Sequence, residues 1–467
     1  MTVYGRILDS IGPAGQYPFC RELTDPMWKP QLENGDVRYR QIVDQLVSDI
    51  VAGTLRPGDR LPAQRELATA LNVKLSTVSR AYQEAARQRL VGGEVGRGTY
   101  VLGSGAEAPV FASQLPAPPV YDLSTTVPAA PPGDDALAAA LAALTPRDHA
   151  DLAGYPPPRL VERTRRAIAD WLAWRGMERQ PKVIVPCAGA HAALQALLLE
   201  KTRPGDPILV ESFTFPGIKI LARQLRLRLV PVEQDGEGVT PAGLEAAAGG
   251  SAARIAILVP TLQNPTGAVM SEQRRRAVAA VAARHDLTVV EDDVYGPLGD
   301  LPPLSRDLGP RGVIVSGLSQ SVLPGLRFGF VAGDDGSLGK LQENLHLTTW
   351  LMAPFSMLIG SNWIDSGFAR QRVEWQRTEI AARWRQMLAA LGPSDQPPAP
   401  HAWLRVDDDP EAVVGRCRAA GVGVVSASTF AAGRRSAARI RICLTAPATR
   451  NDLGEALRIL AGLGIRT

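Results

Sequence analysis

The chain has 467 residues, of which 45% are apolar, 21% charged and 5% aromatic, and 51 Lys and Arg stand against 47 Asp and Glu. A length of this order predicts about three folding units with ample apolar content for large cores. The small formal charge of +4 excludes a wholly basic nucleic-acid coat protein but leaves room for one small basic domain. Only six lysines occur, Lys29, Lys74, Lys182, Lys201, Lys219 and Lys340, so arginine carries nearly all the positive charge. Cys20, Cys187, Cys417 and Cys443 are scattered without C-x-x-C spacing. No metal site is therefore expected, and a reduced, cytoplasmic protein is. No apolar run approaches the ~20 residues that span a bilayer, so no membrane partner is expected.

Residues 1–35 carry several Pro and Gly without periodicity and read as an irregular lead-in. From residue 36 to residue 101 the pattern changes. Ile42, Val43, Leu46, Val47, Ile50 and Val51 recur at helical spacing, and a turn at residues 55–59 follows. A second helix is expected from Pro62 through Leu71, and a third from about Ser76, a good N-cap, with Val78, Ala81 and Tyr82 inward. Leu90-Val91 and Thr99-Tyr100-Val101 flank glycines and predict a two-stranded hairpin. Two helices, a tight turn and a hairpin make a winged helix-turn-helix. This stretch holds ten basic residues against seven acidic ones, a surplus of three, and phosphate contact needs such a patch. Arg97 lies between two glycines, where it suits a wing tip. From charge alone, a solvated basic surface is an equally good reading.

Residues 102–120 have the Gly, Ala and Pro composition of a linker. Beyond it, apolar runs at 183–185, 207–210, 255–259, 287–290 and 313–315 alternate with helical patterns, which predicts an α/β domain over 121–467 built on a parallel sheet. The last segment, with Trp403 to Val406, a helix from Pro410 to Ala420, and Ile440 to Ile442, reads as a small closing α+β subdomain.

Several groups in the large domain have chemical meaning. In E-D-D-V-Y, Asp292 and Tyr295 follow a buried strand and project from its carboxyl end, where α/β sheets bind ligands. A carboxylate there can hold a pyridinium N–H, and a phenol can bond a ring hydroxyl. L-Q-N-P-T-G places Asn264 in a turn after another strand. Cys187-Ala188-Gly189-Ala190-His191 leads into a helix starting near Ala190, and a helix N-terminus behind a glycine is a phosphate site. Arg327 in L-P-G-L-R-F-G-F is a further phosphate partner. Phe215 could stack on an aromatic ring, and Arg441 could clamp a carboxylate bidentately. Singly, each has a plainer explanation: a helix cap, a turn or a surface ion pair.

Two resemblances join these pieces. G-x-L-x-P-G-x-R-L-P, R-E-L-A and G-R-G-T-Y-V resemble, over the whole winged-helix stretch, the DNA-binding domain of GntR-type bacterial transcription regulators. The resemblance implies a double-stranded DNA operator as partner, met by Arg65, Lys74, Ser76, Thr77, Arg80 and Arg97. Leu75 departs from it, since the family often has arginine there. From about Tyr121 to Leu463 the order of motifs resembles the fold-type I aminotransferases that use pyridoxal phosphate, and the combination resembles the MocR subfamily of GntR regulators. By that resemblance Asp292 meets the pyridine nitrogen, Tyr295 and Asn264 the phenolic oxygen, Gly189, Ala190 and Arg327 the phosphate, Phe215 the ring, and Arg441 a ligand carboxylate. A homodimer is also implied, with Tyr155 reaching the phosphate site of the other subunit.

One departure outweighs the rest. The family's Schiff-base lysine lies seven residues before the arginine of P-G-L-R, where this chain has Gln320 within Ser316-Gly317-Leu318-Ser319-Gln320-Ser321. An amide nitrogen is not nucleophilic and cannot shuttle the proton that transamination requires. Lys219 is expected to point to solvent, and Gly317 lacks a hydroxyl that the family often offers to phosphate. Gln320 is either a natural substitution or an engineered trap. The expected function is a regulator whose aminotransferase-like domain senses a small-molecule effector without covalent bonding, and pyridoxal phosphate is bound only in that way or not at all. The alternative is a pyridoxal-phosphate-dependent aminotransferase carrying a DNA-binding domain.

Overall fold

A computed structural model of the chain describes residues 28–30, 38–51, 55, 59–87, 90–94, 98–101, 119–341, 352–433 and 437–467. Two compact units divide between Ala108 and Pro109. Arg97 and all of the expected linker before Pro119 lie outside the described residues.

In the first unit, helix Arg38–Val51 buries Ile42, Val43 and Leu46, helix Gln64–Leu71 buries Leu67 and Ala68, and helix Leu75–Arg87 buries Val78, Ala81, Tyr82 and Ala85. Spacings of three and four residues put each set on one stripe, and the three stripes form one core. Asn72 ends the second helix with φ 50, a left-handed conformation that its short polar side chain tolerates.

Three expectations are corrected here. Arg60–Leu61 pairs antiparallel with Thr99–Tyr100, so the sheet has three strands among the described residues where two were expected. Leu61 is buried, which draws its backbone against the open edge of Gly98–Val101. The third helix begins at Leu75, because the Thr77 amide donates to the Lys74 carbonyl at 2.9 Å. Ser76 is thus exposed in the first turn and is not the cap. Trp28, within the expected lead-in, packs on this core, and its Nε1 donates to Asp49 Oδ2 at 2.8 Å.

In the second unit the spatial strand order is Ile184–Cys187, Gly329–Ala332, Gly312–Gly317, Thr288–Asp292, Ile255–Leu258, Pro207–Glu211, Arg228–Val232. The sheet is mixed where a parallel one was expected: Gly329–Ala332 runs antiparallel to both neighbours. It follows Gly312–Gly317 after a short connection, too short for a parallel crossover. The carboxyl ends of the other strands and the amino end of Gly329–Ala332 share one edge, marked by the pairs Gly317–Gly329 and Gly329–Cys187. Helices such as Ala190–Lys201 and Glu272–Arg284 cover the apolar strands.

The closing subdomain has an antiparallel sheet of His401–Arg405, Arg439–Cys443 and Val425–Ser426. Helices Phe368–Leu391, Pro410–Ala419 and Arg450–Gly462 pack around it. Tyr121–Asp122 pairs in parallel with Val422–Gly423, and the Cys443 amide donates to the Leu123 carbonyl at 2.8 Å. This brings residues 121–126 beside Arg441. Among the described residues no helix is long and apolar enough to cross a membrane.

Candidate ligand pocket and DNA-facing helix

The pocket residues sit at the shared edge of the large sheet, because loops leaving several strands converge there. Gly189 lies two residues beyond strand Ile184–Cys187 and caps helix Ala190–Lys201 with φ 93. A Cβ at Gly189 would lie 2.5 Å from the Arg327 guanidinium, so only glycine lets that cation rest on the turn. Arg327 itself takes φ 50 at the end of the short helix Pro324–Leu326. A guanidinium beside the amino end of a twelve-residue helix makes a cradle for an anion. His191, which the sequence reading did not single out, stands there too. Its ring lies edge-on to Phe215 at 6.4 Å, and burial together with Arg327 lowers its pKa.

A second group gathers around Arg441, which is fully buried. Its NH1 donates to Asn264 Oδ1 at 3.0 Å, its NH2 donates to the Ser124 carbonyl, and its guanidinium lies 4.9 Å from the Phe430 ring centre. Its Nε is buried without a partner among the described residues. With Oδ1 facing Arg441, the Asn264 amide nitrogen is left as a donor. The Asn264–Pro265 bond is cis. Tyr295 is buried, its ring lies 5.5 Å from that of His401, and burial raises its pKa. Asp292 ends the strand Thr288–Asp292; burial pushes its carboxyl up to about 6, and the Val294 amide donates to its Oδ1 at 3.4 Å.

Gln263 ties these loops together. Its Nε2 donates to Glu211 Oε2 at 2.8 Å and to the Phe213 carbonyl at 2.6 Å, while its Oε1 accepts from the Thr266 amide and hydroxyl. Its carbonyl accepts from His401 Nε2 at 2.9 Å. That bond leaves His401 Nδ1 as a buried acceptor without a partner among the described residues, and burial lowers the ring's pKa to about 3. Glu211 also accepts from the Val259 amide at 3.0 Å, and burial pushes its carboxyl up to about 8. Gln263 could have been noticed as the neighbour of Asn264 in L-Q-N-P-T-G. Nothing local marks His401 or Phe430, which arrive by tertiary folding.

Gln320 is half-buried in the turn after strand Gly312–Gly317, and the Ser319 and Ser321 hydroxyls beside it are buried without partners among the described residues. Two expectations change. Lys219 does not point to solvent: its Nζ donates to the Thr429 carbonyl at 2.8 Å. Gly317 is more than a lost hydroxyl, since a Cβ there would lie 2.4 Å from the Phe328 carbonyl and 2.9 Å from Gly329 Cα.

On the winged helix, Arg65, Lys74, Ser76 and Arg80 are exposed and Thr77 is half-buried. The Arg80 guanidinium lies 4.2 Å from the centre of the Tyr39 ring, a cation–π contact with the first helix. Gln64 Oε1 accepts from Ser79 at 2.7 Å and fixes the second helix against the third.

Comparison with known proteins places both units. The family "Bacterial regulatory proteins, gntR family" matches residues 38–101, and "Aminotransferase class I and II" matches residues 119–460. The Vitamin B6 salvage pathway transcriptional repressor PtsJ of Salmonella typhimurium is 30% identical over 80% of this chain and 86% of its own length. The HTH-type transcriptional regulator YdeF of Bacillus subtilis is 28% identical over 93% of this chain and 96% of its own. Among solved structures, an archaeal alanine:glyoxylate aminotransferase aligns with a TM-score of 0.68 at 21% identity, covering 82% of this chain and 98% of that one. Kynurenine aminotransferase of Pyrococcus horikoshii aligns with a TM-score of 0.66 at 22% identity, covering 74% and 91%. The chain belongs to the class I and II aminotransferase family, with a GntR winged helix at its amino end in the arrangement of MocR-type HTH transcriptional regulators.

Proposed function

We propose that this chain is a cytoplasmic, DNA-binding transcription regulator whose aminotransferase-like unit senses a small anionic ligand without bonding it covalently. One observation carries the reading: an amide, Gln320, occupies the turn seven residues before the arginine that rests on Gly189. The remaining groups fit an anionic pyridine of the pyridoxal phosphate class. The buried acceptor on His401, the orphaned Arg441 Nε and the weakly partnered Asp292 carboxylate all call for polar partners. Asp292 would hold a ring N–H, Tyr295 and the Asn264 amide a ring oxygen, and the Ala190 amide with Arg327 the phosphate. Phe215 would cover the ring, and Arg441 would meet a carboxylate. Pyridoxal phosphate, where bound, supplies an electron-withdrawing ring and a carbonyl. An amide at 320 neither attacks that carbonyl nor carries a proton, which weighs against the competing reading of an aminotransferase with a DNA-binding domain.

A ligand would shift DNA binding by favouring one of two arrangements of the dimer. Support for a homodimer comes from helix Ala136–Ala142, all Ala and Leu with no buried residue, and from Tyr155, which is 73% exposed. Sedimentation at micromolar concentration should find a dimer, and a monomer would remove this part of the reading. For the pocket, calorimetric titration of the full chain with pyridoxal phosphate, pyridoxamine phosphate and inorganic phosphate should show binding that dialysis reverses and that Arg327→Ala weakens. No heat with any of the three would overturn it.

A further inference from the structure

We propose that Leu75 reads a thymine in the operator by contact with its 5-methyl group. The inference rests on the DNA-binding reading and adds to it one specificity-determining side chain.

Helix Leu75–Arg87 spends its apolar residues inward: Val78, Ala81, Tyr82 and Ala85 are at most 4% exposed. Leu75, at the first position, is 43% exposed and is the large apolar side chain that this helix leaves outside; of the small ones, Ala86 is exposed too. It lies three residues before Val78 and so continues the same stripe, but the first turn projects past the core that covers the rest. Its chain neighbours Lys74 and Ser76 are exposed and polar. The surrounding charge favours a polyanion: this domain carries three of the molecule's four surplus positive charges.

The second helix of a helix-turn-helix presents its amino-terminal residues to base edges in the major groove. Of the arginines on this helix, Arg80 packs on Tyr39 at 4.2 Å and so lies toward the first helix. That placement suits a phosphate contact. Leu75 has no hydrogen-bonding atom in its side chain, and the one apolar group exposed on a base edge of the major groove is the thymine methyl.

The test uses the full-length chain and duplexes selected from a randomised pool. The selected half-site should contain a thymine whose preference disappears with Leu75→Ala and turns toward guanine with Leu75→Arg, since arginine bonds guanine O6 and N7. Replacing that thymine by deoxyuridine, which removes the methyl alone, should weaken wild-type binding about three- to tenfold and leave Leu75→Ala unchanged. Selection of a defined site that tolerates deoxyuridine at every thymine would overturn this inference and leave DNA binding standing. Failure to retain any duplex would overturn the DNA-binding reading itself. Because the decisive change is made in the DNA, folding of a variant does not enter the result.

Discussion

The two units of this chain place their candidate functional groups in opposite ways. In the winged helix, Arg65, Lys74, Ser76 and Arg80 come from sixteen consecutive positions and are exposed. In the aminotransferase-like unit, Asn264, Asp292, Tyr295 and Arg441 come from distant segments and are at least nine-tenths buried. A surface that meets a polyanion needs cations in water and little else to hold them. A pocket that takes charges out of water must supply each with partners. Hence Arg441 carries Asn264, Ser124 and Phe430 around it, while Arg80 has one aromatic ring beneath it. Substitutions in the pocket should therefore cost more, and reach further, than those on the helix.

The largest expected effect is all or none. Wild-type chain treated with pyridoxal phosphate and borohydride should show no pyridoxyl group on the peptide that holds residue 320 or on Lys219, whereas Gln320→Lys should gain one at position 320. A stoichiometric adduct on Lys219 of the unaltered chain would put a reactive amine beside the pocket and favour the aminotransferase reading.

Next comes Gln263→Ala, which strips partners from Glu211, Phe213 and Thr266 at once and should destabilise the unit by about 3 kcal/mol. Chemical denaturation measures it, and a cost under about 0.5 kcal/mol, the level of an ordinary surface substitution, would break the contrast drawn above.

Glu211 offers a pH-dependent version of the same comparison. Burial raises its carboxyl from 4.5 to about 8, so the native chain keeps a proton that the unfolded chain has released. The resulting stability is complete below about 4.5 and is lost as the pH rises through about 8. Between pH 6.5 and pH 8 the Glu211 contribution should fall by about 1–2 kcal/mol. Thermal unfolding across that window should show it as the difference in slope between the wild-type chain and Glu211→Gln. Equal slopes in the two chains would mean that the two N–H donors, not burial, govern this carboxyl.

The smallest effect belongs to the surface. Arg65→Ala and Arg97→Ala should each weaken operator binding by about 1 kcal/mol or more and flatten its salt dependence. Gel-shift titrations at several salt concentrations measure both, and unchanged slopes would take these residues off the interface.

The winged helix was readable almost whole because its information is local. Helical spacing, turn residues and glycines lie in one short stretch, and they account for all three helices. The third strand was missed, since two residues, Arg60 and Leu61, have no periodicity of their own and become a strand only by finding the edge of Gly98–Val101. In the larger unit, short β-rich runs marked five strands. Gly329–Ala332 was not marked, and its antiparallel direction depends on how little chain separates it from Gly312–Gly317.

For the pocket, motif order alone points to Asp292, Tyr295, Asn264, Arg327, Gly189 and Gln320, because each is anchored to a strand end or a turn that its neighbours specify. Sequence alone also determined that residue 320 is an amide and cannot do the chemistry of an amine. Only the tertiary structure decided what surrounds these groups. It brought His401 and Phe430 from the closing subdomain, made Gln263 the junction of three loops, held Lys219 on the Thr429 carbonyl, and left no room for a side chain at Gly317. Those contacts join residues far apart in the chain, and their energies come from burial and hydrogen bonding that exist only once the strands are in place.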